Sequence, residues 1–436
     1  MKTKRLDFLL LCMALLASCS QDETITTAEQ AVDENAPQPI IMGMNTRPTV
    51  TVKGGGAVGG VGIDDNVWAG QTVRIYAVSR HNIPETLSLS NTGEEVLSPL
   101  GYGVDIVPDT VETTSTGYII LKNYSQPEAP TYYYPRGGEF NFFGFHADDA
   151  IRQGFDLNSD HYENGAHYIE FEIDGTQDLM LAKGSVSQLN DPADERYLFS
   201  AKSSRLGYRP TLNFEHQLTQ LRFFIKQSDN VDITGGAPAE VYVDNISIRS
   251  RTRGKMFFIY PDDADGTNKG IVWDEDQSTT ALVLKKKNDQ GEMVSLNEGI
   301  NKNSQTWRNY WIGVNTKDDL LQNIGGTPID SVLGFYHLDA DNLQQPVRIG
   351  DCLLVEPGLD SYEMTFDVTQ YFDKNGNYIY NERDRVVNYR FNINQRLEAG
   401  YRYDIYIVIN DIEDIELEAS LNPWEEGKDT IIDPFE

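Results

Sequence analysis

Short stretches that alternate apolar and polar residues recur along most of the chain. Val73-Arg74-Ile75-Tyr76-Ala77-Val78, Tyr118-Ile119-Ile120-Leu121 and Tyr168-Ile169-Glu170-Phe171-Glu172-Ile173 are rich in β-branched and aromatic residues. So are Leu221-Arg222-Phe223-Phe224-Ile225, Glu240-Val241-Tyr242-Val243 and Tyr403-Asp404-Ile405-Tyr406-Ile407-Val408-Ile409. Most have the period of a strand with one face in a core and the other in water. Turn residues separate them: Asn91-Thr92-Gly93, Arg136-Gly137-Gly138, Asp265-Gly266 and Asn375-Gly376-Asn377. No long stretch keeps a helical period. Many short strands joined by Gly and Asn turns predict an all-β chain of β-sandwiches.

The start of the chain has a different pattern. Lys2, Lys4 and Arg5 precede an apolar run from Phe8 to Ala17. That run has the length of a signal-peptide core and falls short of the roughly 20 apolar residues of a membrane-spanning helix. It ends in Leu16-Ala17-Ser18-Cys19, the lipobox pattern, in which the Cys19 thiol takes a diacylglycerol and becomes the mature N-terminus. Residues 1–18 are therefore expected to be a signal peptide, and 19–37, polar, acidic and without period, a lipidated flexible tether. The chain beyond residue 37 is too long for one ordinary domain. The small polar segment Ser203-Ser204-Arg205-Leu206-Gly207 places a boundary near Ser203–Arg209, with an N-terminal sandwich over 38–207 and a C-terminal one over 208–436.

Charge and cysteine count narrow the partners. A net charge of −31 repels phosphate backbones and anionic headgroups, so no nucleic-acid partner is expected. Of Cys12, Cys19 and Cys352, the first leaves with the signal and the second carries lipid, so no intrachain disulfide framework remains. With 23 Tyr, 18 Phe and 5 Trp, the chain has the aromatic content to fill sizeable cores.

Candidate chemistry is sparse. The six histidines, 81, 146, 161, 167, 216 and 337, lack paired-ligand spacing. His146-Ala147-Asp148-Asp149 reads as polar residues after a strand, and the run Gly54–Gly62 lacks the Lys-Ser/Thr that a phosphate loop requires. In Asp373-Lys374-Asn375-Gly376-Asn377 the glycine is fourth, where a calcium loop needs it sixth. Arg249, Arg251, Arg253 and Lys255 alternate and predict a charged strand edge. No Gly-x-Ser-x-Gly elbow or Cys/His pair marks a nucleophile, and no catalytic residue, metal site or cofactor is assigned.

Five separate stretches resemble the fimbrillin-like family of Bacteroides-type bacteria. They are Trp68-Ala69-Gly70-Gln71-Thr72-Val73-Arg74-Ile75-Tyr76-Ala77 (with Gln71 where the family has Asp), Tyr133-Tyr134-Pro135 with Phe140-Asn141-Phe142-Phe143-Gly144-Phe145, Asp178-Leu179-Met180-Leu181-Ala182, Leu212-Asn213-Phe214-Glu215-His216-Gln217-Leu218-Thr219-Gln220-Leu221, and Ile415–Trp424. The acidic Gln21-Asp22-Glu23 after Cys19 resembles the surface-export signal of Bacteroides-type lipoproteins. The resemblance implies two transthyretin-like sandwiches in series and a precursor anchored in the outer membrane and facing outward. It also implies a pilus subunit that pairs with other subunits by strand exchange after a protease removes the first strand. The expected arginine-specific cut falls at Arg47. Pro48 comes next and hinders trypsin-like cleavage, which leaves Lys53 as a second site or the strand uncut. His216, Trp68 and Trp424 read as core residues rather than as ligands.

These readings predict a non-enzymatic structural or adhesive subunit of a cell-surface pilus that contacts other subunits, the outer membrane and a host or bacterial surface ligand. The short segment after Trp424, Glu425–Glu436 with Thr430-Ile431-Ile432 as its best strand core, favours a tip or anchor subunit over a stalk unit. The alternative is a surface glycan-binding lipoprotein of a polysaccharide-uptake system, which would use a rigid aromatic face. The lipid anchor has a direct test: a palmitate analogue fed to cells should label the wild type and not Cys19→Ala. Equal labelling of both would remove the anchor.

Overall fold

The computed structural model describes residues 36–44, 72–93, 95–106, 119–120, 132–185, 198–227, 239–276, 278–288, 290–296, 298, 323–324, 327–328, 335–338, 346–370, 385–411 and 414–423. Within them the chain is all-β, built from several mainly antiparallel sheets. One short helix, Ala201–Arg205, is described. Its Ser200 cap is reciprocal: the Ser203 amide donates to Ser200 Oγ (3.1 Å) and the Ser200 amide to Ser203 Oγ (2.7 Å).

Three apolar cores organise the sheets. The first sheet has 8 strands and runs in space Val104–Ile106, Val73–Ser79, Phe140–His146, Met180–Ser185, Thr211–Leu212, Ile41–Met44, Ile119–Ile120, with Glu215–His216 also against Met180–Ser185. Its two faces enter different cores. Ile75, Ala77, Phe140, Phe142, Met180 and Ala182 face the first core. Tyr76, Val78, Phe143, Phe145 and Leu181 face the second. The second core is closed by Ala166–Glu172, Arg253–Ile259 and Gly270–Trp273, neighbours in a further sheet. The third core lies between the sheet of Val347–Val355, Thr219–Gln227, Tyr401–Asp411 and Asp414–Pro423 and the sheet of Thr280–Val283, Ala239–Ser250, Tyr362–Gln370 and Arg385–Ile393.

Burial on two faces corrects the expectation for Val73–Ser79. Only Arg74 in that strand is even half-exposed, because the strand is central to a sheet covered on both sides. In Ala166–Glu172 the alternation holds: Ile169 and Phe171 are buried, while Tyr168 and Glu170 are half-exposed and Glu172 is exposed. Its hairpin turns on Asn164-Gly165, both with positive φ (53° and 82°), the tight-turn pair that matches strand twist.

Strands from both sides of Ser203–Arg209 share a sheet, since Arg253–Ile259 pairs with Ala166–Glu172. The second core likewise takes Tyr76, Phe143 and Ile169 from before that segment and Met256, Phe258 and Leu354 from after it. The basic series 249–255 does not form one strand edge. The chain leaves one sheet at Ser250 and enters another at Arg253, and each cation finds its own partner. Arg249 donates to Thr279 O (2.6 Å), Arg251 grips Glu356, Arg253 meets Glu172 (2.7 Å) and Lys255 meets Glu163.

Candidate strand-exchange groove

The first strand, Ile41–Met44, is short, yet it closes the first core. Ile40 and Met42 are fully buried there, while Ile41 points the other way and is half-exposed. On one side the strand runs parallel to Thr211–Leu212, with Gly43 opposite Thr211 and Met44 opposite Leu212. On the other it runs antiparallel to Ile119–Ile120, with Ile41 opposite Ile120 and Met42 opposite Ile119. The Ile40 amide donates to Tyr132 O (2.9 Å), and Pro39 bridges to Tyr133. Ile40 and Met42 pack in one core with Leu100, Ile106, Phe140, Phe199 and Leu212. Full burial of two such side chains contributes about 3–6 kcal/mol by transfer free energy alone.

The two walls of this slot are held differently. Thr211–Leu212 has a second strand behind it, pairing Gly184 with Leu212 and Ser185 with Thr211. Beyond it the chain is pinned residue by residue. The Phe214 ring lies over Gly144, where a Cβ would come within 2.9 Å of its Cζ, so only glycine leaves room there. His216 Nδ1 meets Asp178 Oδ2 at 2.9 Å, with both side chains buried. The Gln217 amide donates to Leu179 O (2.8 Å), Thr219 Oγ1 to Glu398 O (2.7 Å) and the Gly400 amide to Leu218 O (2.9 Å). Three of the five stretches that carry the family resemblance thus meet at one point and serve packing there. The opposite wall, Ile119–Ile120, has the first strand as its sole strand partner among the described residues.

The candidate residues of the sequence fall largely elsewhere. Cys19, Arg47 and Lys53 lie outside the described residues, as do Trp68, Trp424, the 54–62 glycine run and the 373–377 loop. His146 is buried at a strand end, with Nδ1 2.9 Å from Thr72 O. His81 is exposed beside Glu139 (3.2 Å). Among the described residues no three His, Cys, Asp or Glu side chains are grouped to hold a metal, and no helix is long and apolar enough to cross a membrane. His161 and His167, six apart in sequence, line one shallow pocket with Phe155, Tyr168, Tyr76 and Phe258. No sequence spacing signals that pocket, because its walls come from four separate parts of the chain.

The chain matches no protein-family model and no curated protein. Solved structures similar to it include a candidate cell adhesion protein from Bacteroides uniformis (TM-score 0.39, 11% identity, 89% of this chain and 99% of that one). A candidate cell adhesion protein from Bacteroides ovatus has TM-score 0.41, 12% identity and coverage of 89% and 99%. The fimbrial anchor protein Mfa2 from Porphyromonas gingivalis has TM-score 0.28, 9% identity and coverage of 89% and 98%. These scores fall below the level at which two chains share an overall fold, and the likeness decides neither fold nor function.

The burial pattern of the first strand has a measurable consequence. Met42→Ala and Ile40→Ala should each lower stability by about 2–5 kcal/mol in urea unfolding, and Ile41→Ala by clearly less. Equal losses at all three positions would show that the first strand does not seat in this core.

Proposed function

We propose that this chain is a lipid-anchored, surface-exposed structural or adhesive subunit of a pilus, without enzymatic activity, that assembles by exchange of its first strand. The observation that carries the reading is the slot itself: a short strand that, with Ile40 just before it, buries two side chains fully, set between a braced strand and one with no other strand partner among the described residues. Loss of that strand would open an apolar groove flanked by unpaired backbone groups, a surface that binds an extended segment of another chain by β-augmentation. Residues 38–207 and 208–436 are taken as the two sandwich domains, and the slot takes Ile119–Ile120 from the first and Thr211–Leu212 from the start of the second.

The segment after the strand supports the same reading. Arg47 and Lys53 offer basic cleavage sites, and the nine residues from Gly54 to Gly62 have the glycine-rich composition of segments that proteases cut. The Arg47-Pro48 bond resists trypsin-like enzymes, so the strand leaves after Lys53 or stays in place. A subunit that keeps its strand has a filled groove and ends a filament, which fits a tip or anchor role at the outer membrane.

Mild trypsin treatment of the purified protein, with light scattering as the readout, tests this. Loss of residues 38–52 and then oligomers, or capture of a partner subunit, is the expected result. A stable soluble monomer after loss of the strand would overturn the exchange reading, and one that also binds a polysaccharide would put the glycan-binding lipoprotein in its place.

A further inference from the structure

The two sheets around the third core each end in a strand with an open edge. Among the described residues Arg385–Ile393 has Tyr362–Gln370 as its sole strand partner, and Asp414–Pro423 has Tyr401–Asp411. An edge strand turns the N–H and C=O groups of alternate residues outward, where water or another strand must meet them.

The two edges carry opposite charge. Arg385, Arg390 and Arg396 stand along the first, with no Asp or Glu between residues 385 and 397. The Arg390 side chain is 68% exposed, and its Nε is 3.9 Å from Glu363 Oε1, a loose surface contact. Asn388 donates to Asp367 (2.8 Å), which Asn245 also holds (2.7 Å). The second edge is acidic: Asp414, Glu416 and Glu418 lie on it, and no lysine or arginine occurs between Arg402 and Lys428. Each edge also has apolar side chains that the core covers only in part. Tyr389 and Phe391 on the first and Leu417 on the second are half-buried against it. Tyr389 and Phe391 stack with the buried Phe366 ring, centroids 5.5 and 5.7 Å away.

We propose that the basic edge of one copy of this chain pairs antiparallel with the acidic edge of a second copy, with Arg390 opposite Glu418. That register sets Phe391 opposite Leu417, so the apolar positions of both strands share one face and the charged positions the other. Charge selects unlike edges. Pairing either edge with its own copy in a second molecule would bring like charges together, which destabilises a sheet. A contact between unlike edges is heterologous: it leaves one edge of each kind free at the ends, so it repeats and builds a row of copies. The net charge of −31 opposes the approach of a second copy. Salt at physiological strength screens that repulsion beyond about 8 Å, so the residues in contact decide the outcome.

The test is sedimentation equilibrium of the uncleaved mature chain, carrying Cys19→Ala so that no lipid takes part. Concentrations from about 1 to 200 µM cover the range of a weak contact. With both edges native, association should rise with concentration. Arg390→Glu and the double variant Glu416→Arg/Glu418→Arg should each weaken it about ten-fold or more, because each sets like charges opposite one another. An equimolar mixture of the two variants should associate again, since each then meets the other's opposite charge. Circular dichroism checks both folds, and if the double variant fails to fold, Arg390→Glu decides alone. A monomer across the whole range, association unchanged by Arg390→Glu, or a mixture of folded variants that stays monomeric would overturn the proposal. Because nothing is cleaved and neither edge belongs to the slot, the result stands or falls apart from strand exchange.

Discussion

A strand edge inside a core has to be covered along its backbone and over its side chains at once. In the first sheet Thr211–Leu212 meets that demand on one side with Met180–Ser185 and on the other with Ile41–Met44. Through Ile40 and Met42 this segment joins the buried cluster that holds Leu100, Ile106 and Phe199. A handful of residues near the start of the described chain therefore completes a core whose other strands reach as far along the chain as Thr211–Leu212. Such a piece is held by side-chain burial rather than by length of pairing, which makes a replacement of similar pattern energetically comparable to the original.

The slot is asymmetric, and the asymmetry gives it direction. Its braced wall is fixed through Phe214 over Gly144 and the buried His216–Asp178 pair, contacts that link three strand segments near the crossing from the first sheet to Thr219–Gln227. Removing one member of a buried, hydrogen-bonded pair leaves the other's polar group without its partner, so this wall tolerates little change. Among the described residues Ile119–Ile120 pairs only with the first strand. An incoming segment would thus find one template ready and would have to organise the other, running parallel to Thr211–Leu212 with apolar side chains at alternate positions.

The strands themselves were largely legible in the sequence. Tyr168–Ile173 and Leu221–Ile225 alternate because one of their faces meets a core and the other does not, and that difference is written in residue type. Val73–Ser79 shows where such reading stops: its neighbours bury both faces, a fact of sheet order that no local pattern carries. The run Arg249–Lys255 shows the same limit, since a two-residue corner between sheets looks in sequence like continued alternation. His216 was legible as a core histidine, but its partner Asp178 lies 38 positions away and only folding joins them. The pocket beside His161 and His167 left no trace, because its walls come from four separate parts of the chain.

Amide hydrogen exchange measures the role of the first strand most directly. The amides of Thr211, Leu212, Ile119 and Ile120 would be followed in the intact protein and in one lacking residues 38–52. Protection is expected in the intact protein at Thr211, at Leu212 and at the one isoleucine whose amide faces the first strand, with its loss at that isoleucine and weakening at Thr211 and Leu212 without the strand. Adding a synthetic peptide of residues 38–46 in excess should restore protection. Equal protection with and without the strand would show that the groove does not depend on it and would contradict strand exchange at this slot.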